Sequence, residues 1–265
     1  MTLHGVRPDK RFGQHFLMDG NITDKITQLS GKLSGVHVIE VGPGPGGLTR
    51  SLLKSEAATI HAIEKDSRLL PLLAELAASD KRLQILEADA LSFSIPDAIP
   101  TPRAIIANLP YNVGTAMLIK WLKEIADDAG SYQSLTLMFQ KEVVDRIGAS
   151  PGSKHYGRLS VLSQWLCDVQ PLFDLPPKAF PPPPKVDSSV VRLIPRKARA
   201  KCDINVLERV TGAAFGQRRK MLRSSLKSLH PEPGIWLKQC GIEPTLRAES
   251  LSLINFIDLA ASLKA

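Results

Sequence analysis

Three glycines that follow a short apolar run carry the first chemical signal in this sequence. The run Val38 to Val41 leads directly into Gly42, Gly44 and Gly47, which satisfy the pattern G-x-G-x-x-G. Such a loop lets backbone N–H groups approach a ligand at the carboxyl edge of a parallel sheet, where the next helix begins. The pattern fits dinucleotide-binding proteins and methyltransferases alike, and glycine turns that bind nothing also satisfy it. The residues beyond the loop must therefore decide between these classes.

Two acidic residues follow the next two predicted strands. The strand predicted over Thr59 to Glu64 ends in Glu64, and the strand predicted over Leu83 to Glu87 leads to Asp89 and Ala90. An acid at the end of the second strand is placed to accept both ribose hydroxyls of a bound adenosine. Asp89 could accept a hydrogen bond from the adenine amino group while the Ala90 backbone reads the ring. Each acid is also a residue type common in surface loops, so neither is diagnostic alone.

The tetrapeptide Asn108-Leu109-Pro110-Tyr111 follows a fourth predicted strand, Ala104 to Ala107. It resembles the site of enzymes that methylate exocyclic amines of nucleobases, in particular their adenine-N6 branch. An aromatic amine is a poor nucleophile, because its lone pair is delocalised into the ring. The Asn108 amide oxygen and a carbonyl of Leu109 or Pro110 could accept the two N–H bonds and favour a pyramidal nitrogen. Tyr111 could stack on the base for roughly 1–3 kcal/mol. An ordinary turn that closes a strand is the alternative.

A proline-rich loop downstream supplies a second aromatic residue. Pro181 to Pro184 are four consecutive prolines, which can form neither a helix nor a central strand. They could hold Phe180 at a fixed position, and we predict that Phe180 lies opposite Tyr111, with the target base between the two rings. A proline-rich motif that binds a partner protein is the alternative.

The elements that position these groups are predicted from hydrophobic periodicity and capping residues. The helices expected are one after the N-cap Asp19, one after the glycine loop, one after Asp66, and those over Gly114 to Ile125, Lys141 to Ile147 and Leu159 to Leu166. Further strands are expected over Leu135 to Gln140 and Ser189 to Ile194. A break after Pro195 predicts a cofactor-binding domain over 1–195, which includes a basic arm over 1–14, and a helical, basic domain over 196–265.

The positive charge is concentrated in one stretch. The chain carries a net charge of +8, and the segment from Arg192 to Lys227 holds eleven basic and two acidic side chains. This segment therefore carries +9 and the remaining chain about −1, which is the pattern of a surface that meets phosphates. A solvated helix face is the alternative. The residues predicted to bind RNA are Arg7, Lys10, Arg11, Arg218, Arg219, Lys220 and Arg223.

Composition excludes several other classes of protein. No apolar run approaches the roughly 20 residues that a membrane helix needs, and the first residues lack the apolar core of a secretion signal, so we expect a cytoplasmic protein without a membrane partner. The three cysteines, Cys167, Cys202 and Cys240, form no C-x-x-C pair, so neither a disulfide framework nor a zinc site is predicted. His15 lacks neighbours of metal-ligand type, and no metal is expected.

Five motifs together resemble the bacterial small-subunit ribosomal RNA adenine dimethyltransferases along nearly the whole chain. The motifs are Gln14 to Leu17, Glu40 to Gly44, Asn108 to Tyr111, Phe180 to Ser188 and Phe215 to Arg223. The resemblance implies a Rossmann-like seven-stranded S-adenosylmethionine methyltransferase sheet with a small all-helical C-terminal domain. It also implies dimethylation of the N6 amines of two adjacent adenosines in the 3′-terminal hairpin loop of 16S rRNA, within an immature small ribosomal subunit and in the service of ribosome biogenesis. No obligate protein partner is implied.

The resemblance also implies which residues hold S-adenosylmethionine. The cofactor-binding residues expected are His15, Leu17, Gly42, Gly44, Glu64, Lys65, Asp89, Ala90 and Asn108, and the catalytic residues expected are Asn108, Leu109, Pro110, Tyr111 and Phe180. The family usually has asparagine where this chain has His15, so the contact made there is an open question. The alternatives are a 23S rRNA or DNA adenine-N6 methyltransferase, and an assembly factor with incidental catalysis. A nicotinamide oxidoreductase would explain only the glycine loop.

Overall fold

The computed structural model describes residues 15–263, and in this part of the chain seven strands form one sheet. The strands are β1 (His37–Val41), β2 (Thr59–Glu64), β3 (Leu83–Glu87), β4 (Arg103–Asn108), β5 (Ser134–Gln140), β6 (Cys167–Leu175) and β7 (Ser188–Pro195). Their order is β3-β2-β1-β4-β5-β7-β6, with β1 to β5 parallel and β7 antiparallel to β5. The expected Rossmann-like seven-stranded sheet is confirmed.

The six helices predicted before residue 170 begin close to their predicted positions, and eleven α-helices lie within residues 15–263. They are α1 (Gly20–Leu29), α2 (Gly47–Leu53), α3 (Leu70–Ser79), α4 (Ile95–Ala98), α5 (Gly114–Asp127), α6 (Lys141–Ile147), α7 (Arg158–Leu166), α8 (Ile204–Gly216), α9 (Leu222–Ser225), α10 (Pro233–Gln239) and α11 (Leu253–Ser262). Asp19 caps α1 as predicted, because its carboxylate accepts from the backbone N–H groups of Asn21 and Ile22. None of the helices within residues 15–263 is both long enough and apolar enough to cross a membrane.

The strand β6 has no counterpart among the elements predicted from periodicity. It lies at one edge of the sheet, beside β7, and contains Pro171 and two aspartates. An edge strand tolerates proline and polar residues, because one of its sides forms no ladder hydrogen bonds. The pattern of buried and exposed residues along β6 is correspondingly irregular, and this is why the sequence did not reveal it.

The strand order reverses beside β1, and this determines where a ligand can bind. β1 pairs with β2 on one side and with β4 on the other, so the connections that leave β1 and β4 diverge. In open parallel sheets the crevice outside the carboxyl ends of such strands is the usual ligand site. The glycine loop follows β1 and Asn108 ends β4, so both predicted motifs come to this crevice.

The chain divides into two compact units. The first contains the described residues up to Val144 together with Gln170–Pro195, and the second contains Asp145–Val169 and the described residues from Arg196 onward. The sequence placed residues 145–169 in the first domain, whereas the structure groups them with the C-terminal helices. The physical reason is that α7, which lies within this segment, packs on α8 and α11.

Candidate active site

A cavity of about 270 Å³ lies in the first unit, at the carboxyl ends of the central strands. All nine residues predicted to bind the cofactor line it: His15, Leu17, Gly42, Gly44, Glu64, Lys65, Asp89, Ala90 and Asn108. Leu109, Pro110 and Tyr111 line it as well. Residues that are far apart in the sequence therefore converge on one cavity.

The glycine loop brings backbone to the cavity at very close range. Gly42 and Gly44 have φ angles of 67° and 60°, which residues with a side chain rarely adopt. A Cβ atom placed on Gly47 would lie 2.0 Å from the Leu17 carbonyl oxygen. Glycine is thus required at Gly47 for the segment around Leu17 to pass over the start of α2. A Cβ atom on Gly44 would lie 3.1 Å from the Phe16 ring, so side chains in this loop would displace the segment from Phe16 to Leu17.

Glu64 ends β2 with its carboxylate held by backbone donors. Oε1 accepts from the N–H groups of Lys65 and Asp66 at 2.9 and 2.8 Å, and Oε2 accepts from the N–H of Gly44 at 3.2 Å. Burial raises the pKa of this carboxyl above its usual range, while the three backbone donors oppose that shift. A carboxylate has about four acceptor sites. These three bonds therefore leave about one site on Oε2 for a ligand hydroxyl.

Asp89 follows β3 and is the more exposed of the two acids. Its carboxylate accepts from the Lys65 ammonium at 2.8 Å and from the N–H of Leu91 at 3.0 Å. The bond from Lys65, followed by the one from Leu91, holds the pKa of Asp89 below its usual range. Asp89 is thus an ionised acceptor at the rim of the cavity, suited to an amino group of a ligand.

The orientation of the Asn108 amide is determined by a contact with the N-terminal segment. Its Nδ2 donates to the His15 carbonyl oxygen at 3.0 Å. Because a carbonyl only accepts, the NH₂ group must face His15 and Oδ1 must face the other way. The Pro110 carbonyl already accepts from Val113 and Gly114 at the start of α5. Of the two backbone carbonyls considered from the sequence, Leu109 is therefore the one left for a substrate N–H.

Tyr111 is held from two sides. Its hydroxyl forms a hydrogen bond of 2.6 Å with Ser188 Oγ, and its ring lies 5.3 Å from the His15 ring, centroid to centroid, at 32°. Nδ1 of His15 lies 3.0 Å from the Pro182 carbonyl oxygen, so Nδ1 carries the proton of that bond. Burial raises the pKa of the Tyr111 hydroxyl. Tyr111 is thus contacted directly by Ser188, the first residue of β7, and is linked to the proline loop through His15.

Phe180 differs from its predicted placement. Its side chain is only 2% exposed and belongs to the hydrophobic core with Leu17, Ile26 and Leu175, and it does not line the cavity. In this conformation the rings of Tyr111 and Phe180 do not form a sandwich around an open space. The apolar core beneath the loop accounts for the burial of a residue that the sequence placed on a stiff surface loop.

Two residues at the site were not identified from the sequence. Glu40, inside β1, lines the cavity at 1% exposure, and Oε2 of its carboxyl group accepts from Thr49 Oγ1 at 2.6 Å. Burial raises the pKa of Glu40 to about 8. The signal for it was an acid in the apolar run V-I-E-V. Ser188, the partner of Tyr111, is fully buried, and only its place in the proline-loop motif distinguished it.

The basic residues predicted to bind RNA fall into three groups. Arg219, Lys220 and Arg223 are exposed in the second unit. Arg218 is half-buried, forms an ion pair of 2.9 Å with Glu249 and donates to the Ser153 carbonyl at 3.1 Å. Its guanidinium is therefore engaged within its own unit. Arg7, Lys10 and Arg11 lie outside the described residues.

The fold and the cavity define a class of enzyme. The site has a glycine loop after β1, an acid at or after the end of each of β2 and β3, and the Asn108 amide with the Leu109 carbonyl after β4. These groups fit an adenosine-containing cofactor beside an amine substrate. This arrangement is that of a Rossmann-like, S-adenosylmethionine-dependent methyltransferase.

Comparison with known proteins identifies the family. The sequence profile of "Ribosomal RNA adenine dimethylase" matches residues 6–265. The chain is 51% identical to a ribosomal RNA small subunit methyltransferase A from Rhodospirillum rubrum, over 100% of this chain and 91% of that protein. It is 53% identical to the protein of the same name from Cereibacter sphaeroides, over 98% and 94%. The chain belongs to the ribosomal RNA adenine dimethylase family, and it is an enzyme that uses S-adenosylmethionine.

Solved structures agree with this fold. A dimethyladenosine transferase from Plasmodium falciparum superposes with a TM-score of 0.77 at 25% identity, over 92% of this chain and 96% of that chain. The 23S rRNA methyltransferase ErmE superposes with a TM-score of 0.69 at 24% identity, over 94% and 99%, and bears on the fold alone. The family, the fold class, the enzyme class and the cofactor predicted from the sequence are confirmed.

Proposed function

We propose that this enzyme dimethylates the N6 amines of two adjacent adenosines in the 3′-terminal hairpin loop of 16S rRNA, within an immature small ribosomal subunit in the cytoplasm. Both relatives named above are called small-subunit methyltransferases. The run from Gly216 to Arg223 resembles the same branch. One observation carries the proposal: a single cavity collects the glycine loop, both strand-end acids and the tetrapeptide from Asn108 to Tyr111.

At the cofactor end, the chain supplies a site for adenosine and for the amino acid part of S-adenosylmethionine. Glu64 would accept from ribose through Oε2, and Asp89 would accept from the adenine amine. His15 and Leu17 would lie against the methionine end, beside the glycine loop. When bound, S-adenosylmethionine supplies an electrophilic methyl group on a sulfonium. The ring of His15 offers Nε2 for this contact, since Nδ1 is engaged with Pro182.

At the substrate end, the chain positions the amine rather than deprotonating it. Oδ1 of Asn108 and the Leu109 carbonyl would accept the two N–H bonds of adenine N6, which favours a lone pair aimed away from them. The bond from Asn108 to the His15 carbonyl keeps Oδ1 in this orientation. Tyr111 would stack on the extruded base and offset part of the unstacking cost of a few kcal/mol.

The substrate assignment is tested with cells that lack this chain. Mass spectrometry of their 16S rRNA should show that dimethyladenosine is lost at two adjacent positions in the 3′-terminal loop and is restored by the wild-type gene. Retained dimethyladenosine would refute the assignment. In parallel, the purified enzyme should methylate immature small subunits and leave large-subunit RNA and naked DNA unmodified. Preference for either of the last two substrates would favour the alternative methyltransferases.

A further inference from the structure

Lys120 reaches from α5 to the turn that carries Asp89. Its ammonium donates to the Ala90 carbonyl oxygen at 2.9 Å and to the Phe93 carbonyl oxygen. The side chain is half-buried, and Ala90 lines the cavity. One cation thus binds two carbonyls of a short turn at the edge of the cofactor site. Charge-assisted bonds of this kind are roughly twice as strong as neutral ones.

The turn over residues 89–93 is shaped by hydrogen bonds to its first residue, Asp89. The Asp89 carbonyl accepts from the N–H groups of Ser92 and Phe93, and the Asp89 carboxylate accepts from that of Leu91. These bonds shape residues 89–93, and the ion pair of 2.8 Å between Lys65 and Asp89 attaches the first residue of the turn to the end of β2. Lys120 supplies the attachment of Ala90 and Phe93 to α5, so the orientation of the turn relative to that helix depends on this side chain.

The helix α5 links the turn to the substrate end of the site. It begins at Gly114, just after the tetrapeptide that ends in Tyr111. Met117, one helical turn before Lys120, lines the cavity. The hydrogen bonds of Lys120 therefore connect the turn to α5, the helix that begins beside the substrate site. In the sequence it is a single cation among the apolar residues Met-Leu-Ile and Trp-Leu, with no signal of its role.

We propose that Lys120 is a positioning residue that holds turn 89–93 so that Asp89 and Ala90 select adenine in the cofactor. This inference rests on the proposed assignment of Asp89 and Ala90 to the adenine ring. Asp89 accepts from an amine and should reject a ring carbonyl at the same position, because two acceptors would then face each other. A turn released from α5 would keep its own bonds but lose the alignment that this selection needs.

The test compares two ligands that differ at one ring position. Calorimetry would measure the affinity of the full-length enzyme for S-adenosylhomocysteine and for its 6-oxo analogue, S-inosylhomocysteine. Wild type should prefer the adenine ligand, and Lys120→Met should lower that preference by about tenfold, as expected for losing charge-assisted bonds. Lys120→Arg keeps a cation with donors and should retain most of the preference. The exposed Lys81→Met is the matched control and should behave as wild type.

The outcomes separate failure of the inference from failure of the site assignment. If wild type binds both ligands equally, or if Asp89→Asn leaves the preference unchanged, the assignment of Asp89 to adenine is wrong and the inference falls with it. If Asp89→Asn abolishes the preference while Lys120→Met retains it, the inference about Lys120 alone is wrong. A purely structural role for Lys120 would lower affinity for both ligands by the same factor, and this too would overturn the proposal.

Discussion

Asn108 is the residue whose replacement should separate the two rounds of methylation. Unmodified adenine N6 offers two N–H bonds, which Oδ1 of Asn108 and the Leu109 carbonyl would accept. The monomethylated amine offers one. We therefore expect Asn108→Ala to lower the single-turnover rate with unmodified adenosine more than the rate with a monomethylated substrate, by about the tenfold that one lost hydrogen bond to a polarised amine represents.

Rapid-quench assays on both substrates, with cofactor affinity measured separately, would check this expectation. The His15 carbonyl loses its donor in the same variant, so a modest change in cofactor affinity is expected as well. Equal rate losses in both rounds would contradict the amine-orienting role. A loss of cofactor binding as large as the loss of rate would assign Asn108 mainly to the cofactor.

The bond between Tyr111 and Ser188 permits a double-mutant cycle. Tyr111→Phe and Ser188→Ala each remove one partner of the 2.6 Å bond while leaving the ring and the strand in place. Each should lower kcat/KM for methylation, and the double variant should lose less than the sum. The coupling free energy should be about 0.5–1.5 kcal/mol. Additive losses would show that the hydroxyl does not position the stacking ring.

At the scale of elements, periodicity was sufficient for the parallel strands and failed at the edge strand β6. The parallel strands β1 to β5, including the partly exposed edge strand β3, are short and mostly apolar runs bounded by turn residues, so their positions could be predicted to within about two residues. The edge strand β6 carries Pro171 and follows no period. The grouping of α7 with the C-terminal helices also escaped prediction, because it depends on packing between segments distant in the sequence.

The candidate site shows the same division between local and distant information. Motifs placed the glycine loop, Glu64, Asp89 and Asn108 at strand ends, and the sheet brings them to one cavity. The contact of Asn108 with His15 spans 93 residues, and no local pattern encodes it. Phe180 was misplaced because the sequence does not reveal that apolar core lies beneath the proline loop.

The segment from Arg218 to Arg223, which runs from the end of α8 into α9, should contain three RNA-binding residues and one structural basic residue. Replacing Arg219, Lys220 and Arg223 together by glutamine should weaken rRNA binding and flatten its dependence on salt by roughly 0.7–0.9 per lost phosphate contact. Arg218→Gln should instead lower the free energy of unfolding by about 1 kcal/mol, because Arg218 binds Glu249 and Ser153 within a partly exposed site. Filter-binding titrations in salt and urea unfolding would measure these effects.

Cofactor affinity is the internal control for both variants of the segment from Arg218 to Arg223. It should stay at the wild-type value, because these side chains do not line the cavity. An unchanged salt slope in the triple variant would assign the exposed cations to solubility. A reduced slope in Arg218→Gln would show that this guanidinium leaves Glu249 to contact RNA.

At the scale of the whole molecule, buried and ion-paired groups make stability depend on pH in opposing directions. Hydrogen bonds from basic side chains lower the pKa of Asp80, Asp89 and Asp174, so their contribution is lost as the pH falls below the usual carboxylate range. Burial lowers the pKa of His61, so the unfolded chain takes up the proton first and stability falls as the pH falls through the usual histidine range. Burial raises the pKa of Glu40, which acts in the opposite sense. A plot of the free energy of unfolding against pH for one protein would mix these effects. The difference in that free energy between the wild type and a variant is therefore needed.

The variant Glu40→Gln isolates the contribution of Glu40 to the pH dependence of stability. Unfolded Glu40 ionises above about pH 4.5, whereas the folded carboxyl keeps its proton until about pH 8, so folding takes up a proton between these values. The wild type should therefore lose stability relative to Glu40→Gln as the pH rises through this window, by up to about 1.4 kcal/mol per pH unit. Glutamine mimics the protonated acid and can still accept from Thr49, so the variant should fold. Urea unfolding without cofactor from pH 5 to 9 would measure the difference, with the exposed Glu56→Gln as the matched control. A constant difference across this range would mean that Glu40 is already ionised in the folded enzyme, and that Thr49 and nearby backbone donors compensate its charge.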